Sequence, residues 1–281
     1  MGHLEQTYDL IVIGGGINGV GIARDASLRG MSVLLLEKSQ RLASGASSKS
    51  SKLAHGGLRY LEQFQFRLVK ESLKERNLML KLSPDLVKPL RFILPVYKSG
   101  KHSFWKLKLG LKLYDYLSSP SPLPTHQEFN AKELTQLFPL LSSSNLVKGL
   151  AYYDAQMNDK EIVLRNAESA QSHGAHIITG ISNLKFITQD NTLIGVQFFD
   201  ESKTPLTIHA KKIVNVTGPW SNLTLQSADP FAKPIIQSSK GVHLICKKLP
   251  YDDAFILTTP QDNRTFFVMP YHNHTLIGTT D

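Results

Sequence analysis

The chain has 281 residues, 41% of them hydrophobic, and a mean hydropathy of −0.15, which is typical of a globular protein with a large core. A formal net charge of +9 suits an anionic partner, either a phosphorylated substrate, an anionic membrane surface or a nucleic acid. The single cysteine, Cys246, excludes an internal disulfide and a cysteine-based zinc cluster, and no apolar run approaches the ~20 residues of a membrane-spanning helix.

The first predicted elements are a strand, a glycine turn and a helix. Tyr8–Ile13 is a short apolar run, typical of a buried parallel strand. Gly14, Gly16 and Gly19 follow it in the spacing Gly-x-Gly-x-x-Gly, which opens a helix. The amino end of such a helix offers free amide N–H groups to a pyrophosphate, and glycines let the backbone approach that group closely. The pattern predicts a dinucleotide site.

The second strand is predicted at Val33–Leu36, and Glu37 ends it. A carboxylate at this place accepts hydrogen bonds from an adenosine ribose. Ordinary turn glycines and a solvated Glu37 are the alternative, which the matching context disfavours. This unit alone leaves a nicotinamide-dependent dehydrogenase open.

Leu42–Ser51 is rich in small residues and reads as a flexible linker by composition, or as a cofactor-facing loop by position. A helix is predicted from Phe66 to a point before Pro84.

The segment from Lys88 to Lys112 holds much of the positive charge. Its basic residues, uninterrupted by any acid, are Lys88, Arg91, Lys98, Lys101, Lys106, Lys108 and Lys112. In a helix one face would carry the apolar residues Trp105, Leu109, Leu113, Tyr116 and Leu117, as in a helix lying among lipid headgroups. The alternation of leucines at 107, 109, 111 and 113 suits a strand, so the period leaves both open, together with a core-packed element. No recognised module supports nucleic-acid binding.

The second half of the chain begins with a helix capped by Asn158 and Glu161, which ends near Gly174. Predicted strands follow at Ile177–Thr179, Leu184–Thr188, Leu193–Phe199, Leu206–Ala210 and Ile213–Val216, and the chain from Gln237 onward is β-like. Because Asp281 comes directly after a strand-like run, we expect this chain to be the N-terminal portion of a longer protein.

Three segments together carry a resemblance to a known family. They are Ser47-Ser48-Lys49-Ser50-Ser51-Lys52-Leu53-Ala54-His55-Gly56-Gly57-Leu58-Arg59-Tyr60-Leu61-Glu62, the Gly-Gly-Gly-Ile-Asn-Gly turn, and Val216-Thr217-Gly218-Pro219-Trp220. The chain resembles the FAD-dependent glycerol-3-phosphate dehydrogenases, the quinone-linked respiratory enzymes. The resemblance extends over essentially the whole chain and includes Tyr152–Asp154, Lys240–His243 and Ile277–Asp281.

The resemblance implies an α/β fold. Its core would be a doubly wound, Rossmann-like FAD-binding domain of the glutathione-reductase/D-amino-acid-oxidase type, with an inserted mixed-β substrate domain. The implied domains are a first FAD-binding segment at 1–90, a helical or irregular segment at 91–150, a second FAD-binding segment at 151–220 and a truncated β-rich substrate domain at 221–281.

The resemblance also implies site residues. The FAD-binding residues would be Gly14, Gly16, Ile17, Asn18, Gly19, Glu37, Lys38, Ser47, Ser48, Lys52, Leu53, Thr217, Gly218 and Trp220. Lys240 and His243 would lie near the active site, where packing or flavin contact is favoured over catalysis.

The implied catalytic residues are His55, Arg59 and Tyr60. Arg59 offers a planar fork of donors to a substrate phosphate, and Tyr60 adds a hydroxyl. His55 would take the hydroxyl proton from the substrate while a hydride leaves for the flavin. The alternatives are a structural hydrogen bond for His55 and a surface salt bridge for Arg59.

The implied reaction is oxidation of sn-glycerol 3-phosphate to dihydroxyacetone phosphate, with the hydride passing to FAD and electrons on to a membrane quinone. The expected location is the cytoplasm, peripherally on the inner face of the cytoplasmic membrane, with a homodimer as an expected assembly and no metal. The fragment is expected to have an incomplete substrate pocket. The rivals are a related oxidase that uses oxygen and an amine oxidase of the same superfamily acting on a substrate such as sarcosine.

Overall fold

The computed structural model describes residues 5–100, 102–259, 261–262 and 264–278. The helices in these ranges are α1 Ile17–Leu28, α2 Phe66–Leu82, α3 Phe104–Ser118, α4 Ala131–Leu137, α5 Asp159–Ser172 and α6 Ser221–Ala228. The strands are β1 Thr7–Ile13, β2 Val33–Leu36, β3 Leu53–Ala54, β4 Val87–Tyr97, β5 Gln127–Asn130, β6 Leu146–Met157, β7 His176–Ile178, β8 Ser182–Gln189, β9 Thr192–Phe199, β10 Pro205–Asn215, β11 Leu244–Lys247, β12 Ala254–Thr258, β13 Thr265–Tyr271 and β14 His274–Gly278. Short 3₁₀ helices span Ala46–Ser48, Leu58–Gln63 and Gly218–Trp220. The last three residues of the motif predicted at Ile277–Asp281, and Lys101 of the basic segment, lie outside the described residues.

The chain divides into two units, each built from two segments. The first unit holds the described residues up to Ser50 together with Asn158–Ser238, and the second holds Ser51–Met157 together with the described residues from Ser239 onward. The predicted α/β class with a mixed-sheet domain interposed is confirmed. The predicted boundaries at 90, 150 and 220 differ from these divisions. A cut at 90 would split β4 and a cut at 150 would split β6, and these two strands pair with each other along their length. A cut at 220 would separate α6 from the first unit, to which it belongs.

The first unit is built on a six-stranded sheet in the order β7-β2-β1-β10-β9-β8. β7, β2, β1 and β10 run parallel, whereas β9 and β8 pair in antiparallel fashion. β1 is buried on both faces: Leu10 and Val12 join the core formed with α1 and α5, while Ile11 and Ile13 join the core that contains Phe198. The strands predicted at the first glycine motif are confirmed.

β10 differs from the prediction of two strands, Leu206–Ala210 and Ile213–Val216. The structure has one continuous strand, which is paired along its whole length, although its two halves have different partners. Its first half, from Pro205 to His209, pairs with β9, and its second half pairs with β1. Lys211, in the polar interruption, makes an ion pair with Asp9 at 2.6 Å instead of ending the strand.

The second unit is built on an eight-stranded sheet in the order β11-β14-β13-β12-β4-β6-β3, with β5 also paired to β6. β12 and β4 are parallel and the other pairs are antiparallel. α2 and α3 supply Leu73, Leu111 and Tyr114 to one core of this unit, and α4 supplies Leu134 to another. The helical or irregular character predicted for 91–150 holds for α3 and α4 but is wrong for β4, β5 and the start of β6. The pairing of β4 with β6 tolerates Pro89 and Pro95.

The basic apolar segment forms the helix α3, so the helical alternative is correct. Leu111 and Tyr114 are buried, whereas Trp105, Leu109 and Tyr116 are 70%, 70% and 77% exposed. The other two members of the predicted shared face, Leu113 and Leu117, are half-buried. Among the described helices, none combines the length and the apolar composition needed to cross a membrane.

Two leucines of the first sheet differ in burial, and this difference predicts different effects on stability. Leu35 in β2 is fully buried and Leu193 in β9 is 36% exposed. We expect Leu35→Ala to lower the free energy of unfolding by about 2–5 kcal/mol, because it removes buried apolar area and leaves a cavity. Leu193→Ala should change it by about 0.5 kcal/mol. Urea unfolding followed by circular dichroism measures both, and equal losses would contradict the assignment of the core.

Candidate functional site

The glycine turn lies between β1 and α1, at the carboxyl ends of the parallel strands. Gly14 has a φ of +118°, and its N–H donates to the Leu36 carbonyl at 2.8 Å. A Cβ on Gly14 would lie 2.5 Å from the Val216 carbonyl oxygen. The conformation and the contact therefore both require glycine here.

The two later glycines of the motif differ in what surrounds them. A Cβ on Gly19, in α1, would collide with the carbonyl oxygen of Gly14, so the helix can lie against the turn only without a side chain. Within 4 Å, a Cβ on Gly16 would meet only the Ser47 hydroxyl among the described residues, at 3.2 Å. The turn is thus closed toward the sheet and open at Gly16.

A cavity of about 830 Å³ opens at this turn, within the first unit. The predicted FAD-binding residues that line it are Gly14, Gly16, Ile17, Asn18, Glu37, Lys38, Ser47, Thr217, Gly218 and Trp220. Gly19 and Ser48 belong to the same unit without lining the cavity, and Lys52 and Leu53 belong to the second unit. The structure therefore brings most of the predicted cofactor residues to one place.

Glu37 is held by the backbone at the edge of this cavity. Its Oε2 accepts a hydrogen bond from Gly15 N at 2.6 Å, and its Oε1 accepts one from Ser39 N at 2.7 Å. An ionised carboxylate has about four acceptor sites, so this arrangement fixes its direction and leaves acceptor sites for ribose hydroxyls.

The small-residue segment folds against the helix as a loop, as its position predicts. The Ser47 hydroxyl oxygen accepts from Ile17 N at 3.0 Å, and Ser50 Oγ donates to Asp159 Oδ2 at 2.5 Å at the start of α5. A Cβ on Gly45 would lie 3.2 Å from the Trp220 ring. A flexible linker would lack such contacts, so this segment is an ordered loop.

The charges of the cavity favour a phosphate. Glu37 is the one acid among its described lining residues, beside the bases Lys38 and Lys49. α1 has no acid in its first turn, and its first intrahelical bond runs from Val20 N to Gly16 O at 3.0 Å. The amides of Asn18 and Gly19 precede that bond and carry the positive end of the helix dipole. The residues present thus fit an adenosine diphosphate group.

Sequence reasoning missed part of the lining. Ile181, Ser182 and Leu184 line the cavity because β7 ends at the same sheet edge as β1 and β2. Their place after the strand predicted at Ile177–Thr179 was the available signal. The α6 residues Leu223 and Thr224 also line it, and their signal was adjacency to the turn that ends at Trp220.

The predicted catalytic residues lie in the second unit, between β3 and the end of the 3₁₀ helix Leu58–Gln63. His55, Arg59 and Tyr60 are exposed, whereas Lys52 and Leu53, which precede them, are buried. Gly57 has a φ of +72°, and a Cβ there would lie 2.5 Å from Tyr60 Cδ2. The two glycines at 56 and 57 are buried, so this segment presents its long polar side chains to solvent from a fixed backbone.

His243 has a buried polar atom that points to a ligand. Its Nε2 is buried without a hydrogen-bond partner in the described structure. Burial lowers the pKa of His243, and the charge of Lys52 lowers it further, so both favour the neutral ring. Buried polar atoms in proteins are usually paired, so a ligand group is the natural partner for this nitrogen.

Comparison with known proteins gives the family context. The family model for the FAD dependent oxidoreductases, DAO, matches residues 9–281. A glycerol-3-phosphate dehydrogenase of Synechocystis sp. is 39% identical, over 99% of this chain and 52% of that protein. A D-erythritol 1-phosphate dehydrogenase of Brucella abortus is 38% identical, over 98% of this chain and 55% of that protein.

A solved structure is similar over the same range. The glycerol-3-phosphate dehydrogenase of Bacillus halodurans, complexed with FAD, has a TM-score of 0.74 and 30% identity, covering 99% of this chain and 48% of that one. The chain thus spans about half the length of the relatives it matches.

Substitutions at Gly16, the N-cap of α1, and at Gly21, within α1, can distinguish an effect on FAD binding from an effect on folding. We expect Gly16→Ala to weaken FAD binding about 10-fold or more, because the methyl group occupies space that a pyrophosphate needs. Gly21→Ala is the control, since a Cβ there meets nothing within 4 Å and alanine favours the helix. Quenching of FAD fluorescence measures affinity, and thermal unfolding checks the fold. Equal affinities of both variants would contradict this site.

Proposed function

Because the chain belongs to the FAD dependent oxidoreductase family, we propose that its first unit binds FAD at the cavity described above. The adenosine ribose would lie at Glu37 and the pyrophosphate at the amino end of α1. The support is the orientation of the Glu37 carboxylate by Gly15 N and Ser39 N, together with the open approach at Gly16.

The proposed substrate of the whole protein is sn-glycerol 3-phosphate, oxidised at C2 to dihydroxyacetone phosphate. The observation that carries this proposal is similarity along the whole chain to relatives named glycerol-3-phosphate dehydrogenase. The net charge of +9 also favours an anionic substrate. The relative named for D-erythritol 1-phosphate makes that longer polyol phosphate the second candidate.

The residues of the second unit have proposed roles in binding and proton transfer. The parallel N–H groups of Arg59 bind the substrate phosphate, and the Tyr60 hydroxyl adds one hydrogen bond. His55 accepts the proton of the C2 hydroxyl as the C2–H bond breaks. The bound flavin of FAD supplies the acceptor for the hydride that leaves C2.

The proposed acceptor for the electrons is a membrane quinone, with the protein held peripherally on the inner face of the cytoplasmic membrane. Oxygen is the alternative acceptor. The support for membrane docking is the exposed face of α3, formed by Trp105, Leu109 and Tyr116 beside the exposed Lys112. Apolar and basic side chains on one face suit a helix among anionic headgroups.

Part of the basic character near this face is already neutralised. Lys106 Nζ lies 3.1 Å from Glu62 Oε1, and Lys108 Nζ lies 2.6 Å from Glu128 Oε1. Lys108 also lies over the Trp105 ring, at 5.3 Å from its centroid. The aromatic and aliphatic side chains therefore carry more of the proposed docking than the lysines do. A homodimer that covers the same face is the competing occupant.

Substrate class can be tested on the whole protein that contains this sequence, loaded with FAD. Anaerobic glycerol 3-phosphate should bleach the flavin absorbance, and glycerol and sarcosine should leave it unchanged. We expect Arg59→Lys to raise KM for glycerol 3-phosphate about 10- to 100-fold, because lysine keeps the charge but loses the paired N–H donors that bind a phosphate bidentately. Arg67→Lys, on the exposed side of α2, is the control and should keep the KM of the wild type.

Two outcomes would change the proposal. Bleaching by D-erythritol 1-phosphate alone would keep the polyol phosphate class and move the substrate. Bleaching by sarcosine alone would contradict a phosphate ester altogether.

Membrane docking can be tested by sedimentation with phosphatidylglycerol vesicles. We expect the double variant Trp105→Glu, Leu109→Glu to lower vesicle binding about 10-fold or more, because two apolar side chains lose their burial in lipid. Phe231→Glu is the control, since Phe231 is 94% exposed and lies in the first unit. Unchanged sedimentation would refute docking through α3, and a loss of dimers in light scattering would assign this face to a second copy.

A further inference from the structure

A buried polar cluster contacts the segment that carries the proposed catalytic residues. Its members are Arg76 of α2, Tyr114 and Ser118 of α3, and Asp154 of β6, which are 3%, 1%, 7% and 1% exposed. All four belong to the second unit, as does the segment from His55 to Tyr60. Charged and polar side chains are costly to bury, so this cluster calls for an explanation.

Asp154 is at the centre of the cluster. Its Oδ1 accepts from Arg76 Nη1 at 2.7 Å and from the Tyr114 hydroxyl at 2.7 Å. Burial raises the pKa of Asp154, and the guanidinium of Arg76 opposes that rise. Burial and the neighbouring carboxylate raise the pKa of Tyr114, which keeps its phenol protonated and able to donate.

The cluster reaches the catalytic segment through one backbone amide. Gly56 N donates to the Tyr114 hydroxyl at 2.9 Å and to Asp154 Oδ1 at 3.2 Å. A Cβ on Gly56 would lie 2.5 Å from the same hydroxyl and would collide with Leu73. The Gly56 amide is therefore held from one side by hydrogen bonds and confined from another by packing.

We propose that Tyr114 and Asp154 are positioning residues for the reaction proposed above: through the Gly56 amide they hold the backbone that sets His55 and Arg59. The inference rests on that proposed function. His55 directly precedes Gly56 and Arg59 follows it by three positions, so a shift of this amide also shifts the backbone of both residues. Since small displacements of reacting groups lower rates strongly, a fixed Gly56 contributes to turnover and not to stability alone.

The same cluster contains a group that binds Arg76 without touching Gly56. Ser118 Oγ accepts from Arg76 Nη2 at 2.7 Å. Arg76 keeps further acceptors, since Asn77 Oδ1 lies 2.9 Å from Nη2 and the Tyr153 carbonyl 3.0 Å from Nη1. Tyr114→Phe and Ser118→Ala each delete one buried hydroxyl from the cluster, and Tyr114→Phe alone deletes a partner of Gly56.

The test compares these two variants in the whole FAD-loaded protein by stopped-flow reduction of the flavin with glycerol 3-phosphate. Both variants should lower the thermal midpoint by similar amounts. At saturating substrate, Tyr114→Phe should slow flavin reduction about 10- to 100-fold, because the catalytic backbone is displaced. Ser118→Ala should stay within about 2-fold of the wild type, because its hydroxyl does not contact Gly56.

Equal slowing by both variants, or an unchanged rate in Tyr114→Phe, would overturn the inference while leaving the proposed function standing. A wild-type flavin that glycerol 3-phosphate fails to bleach would overturn the proposed function and this inference with it. Should Tyr114→Phe not fold, Asp154→Glu replaces it, since it keeps the charge facing Arg76 and displaces the oxygen that Gly56 contacts. It should slow flavin reduction as strongly.

Discussion

The close approach of α1 to the end of β1 is the constraint on which the first unit depends. Gly14 lies against the Val216 carbonyl, and Gly19 lies against the carbonyl of Gly14. A side chain at either place would push the helix away from the sheet. With the helix so close, its amino end, the Glu37 carboxylate and the turn after β10 all face one cavity. A site for a large anionic nucleotide thus follows from the absence of two Cβ atoms.

Hydrogen bonds to backbone amides orient the polar groups in both units. In the first unit, Gly15 N and Ser39 N hold the Glu37 carboxylate, and Ile17 N holds the Ser47 hydroxyl. In the second unit a backbone N–H is again the donor, but there the buried side chains of Tyr114 and Asp154 hold the amide of Gly56 in place. Side chains anchored to the backbone lose little further freedom on binding a ligand, which favours affinity and rate.

The positive charge of the chain is less concentrated in the structure than in the sequence. Arg91 pairs with Asp253 at 2.6 Å, and Lys106 and Lys108 pair with Glu62 and Glu128. These acids lie outside the basic segment, so the sequence of the segment alone does not predict the ion pairs. The fold thereby turns an apparent basic patch into an apolar face on α3, beside which Lys106 and Lys108 are paired and Lys112 is exposed.

Much of the fold and of the nucleotide site could be predicted from residues that act locally. The period of β1, the glycine spacing and the cap of α5, where Asn158 Oδ1 accepts from Glu161 N at 3.3 Å, depend on neighbours within a few positions. The long-range features could not. The continuity of β10 and the strand β4 depend on partners far along the chain.

The sequence by itself determined the glycine turn, the acid that ends β2 and the family of the chain. The turn and the acid could be predicted because backbone sterics and helix dipoles depend on residues that are close together in sequence. Only the tertiary structure decided that α3 is a helix with an exposed apolar face, since its period suited either element until α2 and the sheet covered Leu111 and Tyr114. It also decided that Tyr114 and Asp154 converge on Gly56, with Arg76 held against Asp154. Gly56 and Asp154 are 98 residues apart in sequence, and burial in one core brings them together.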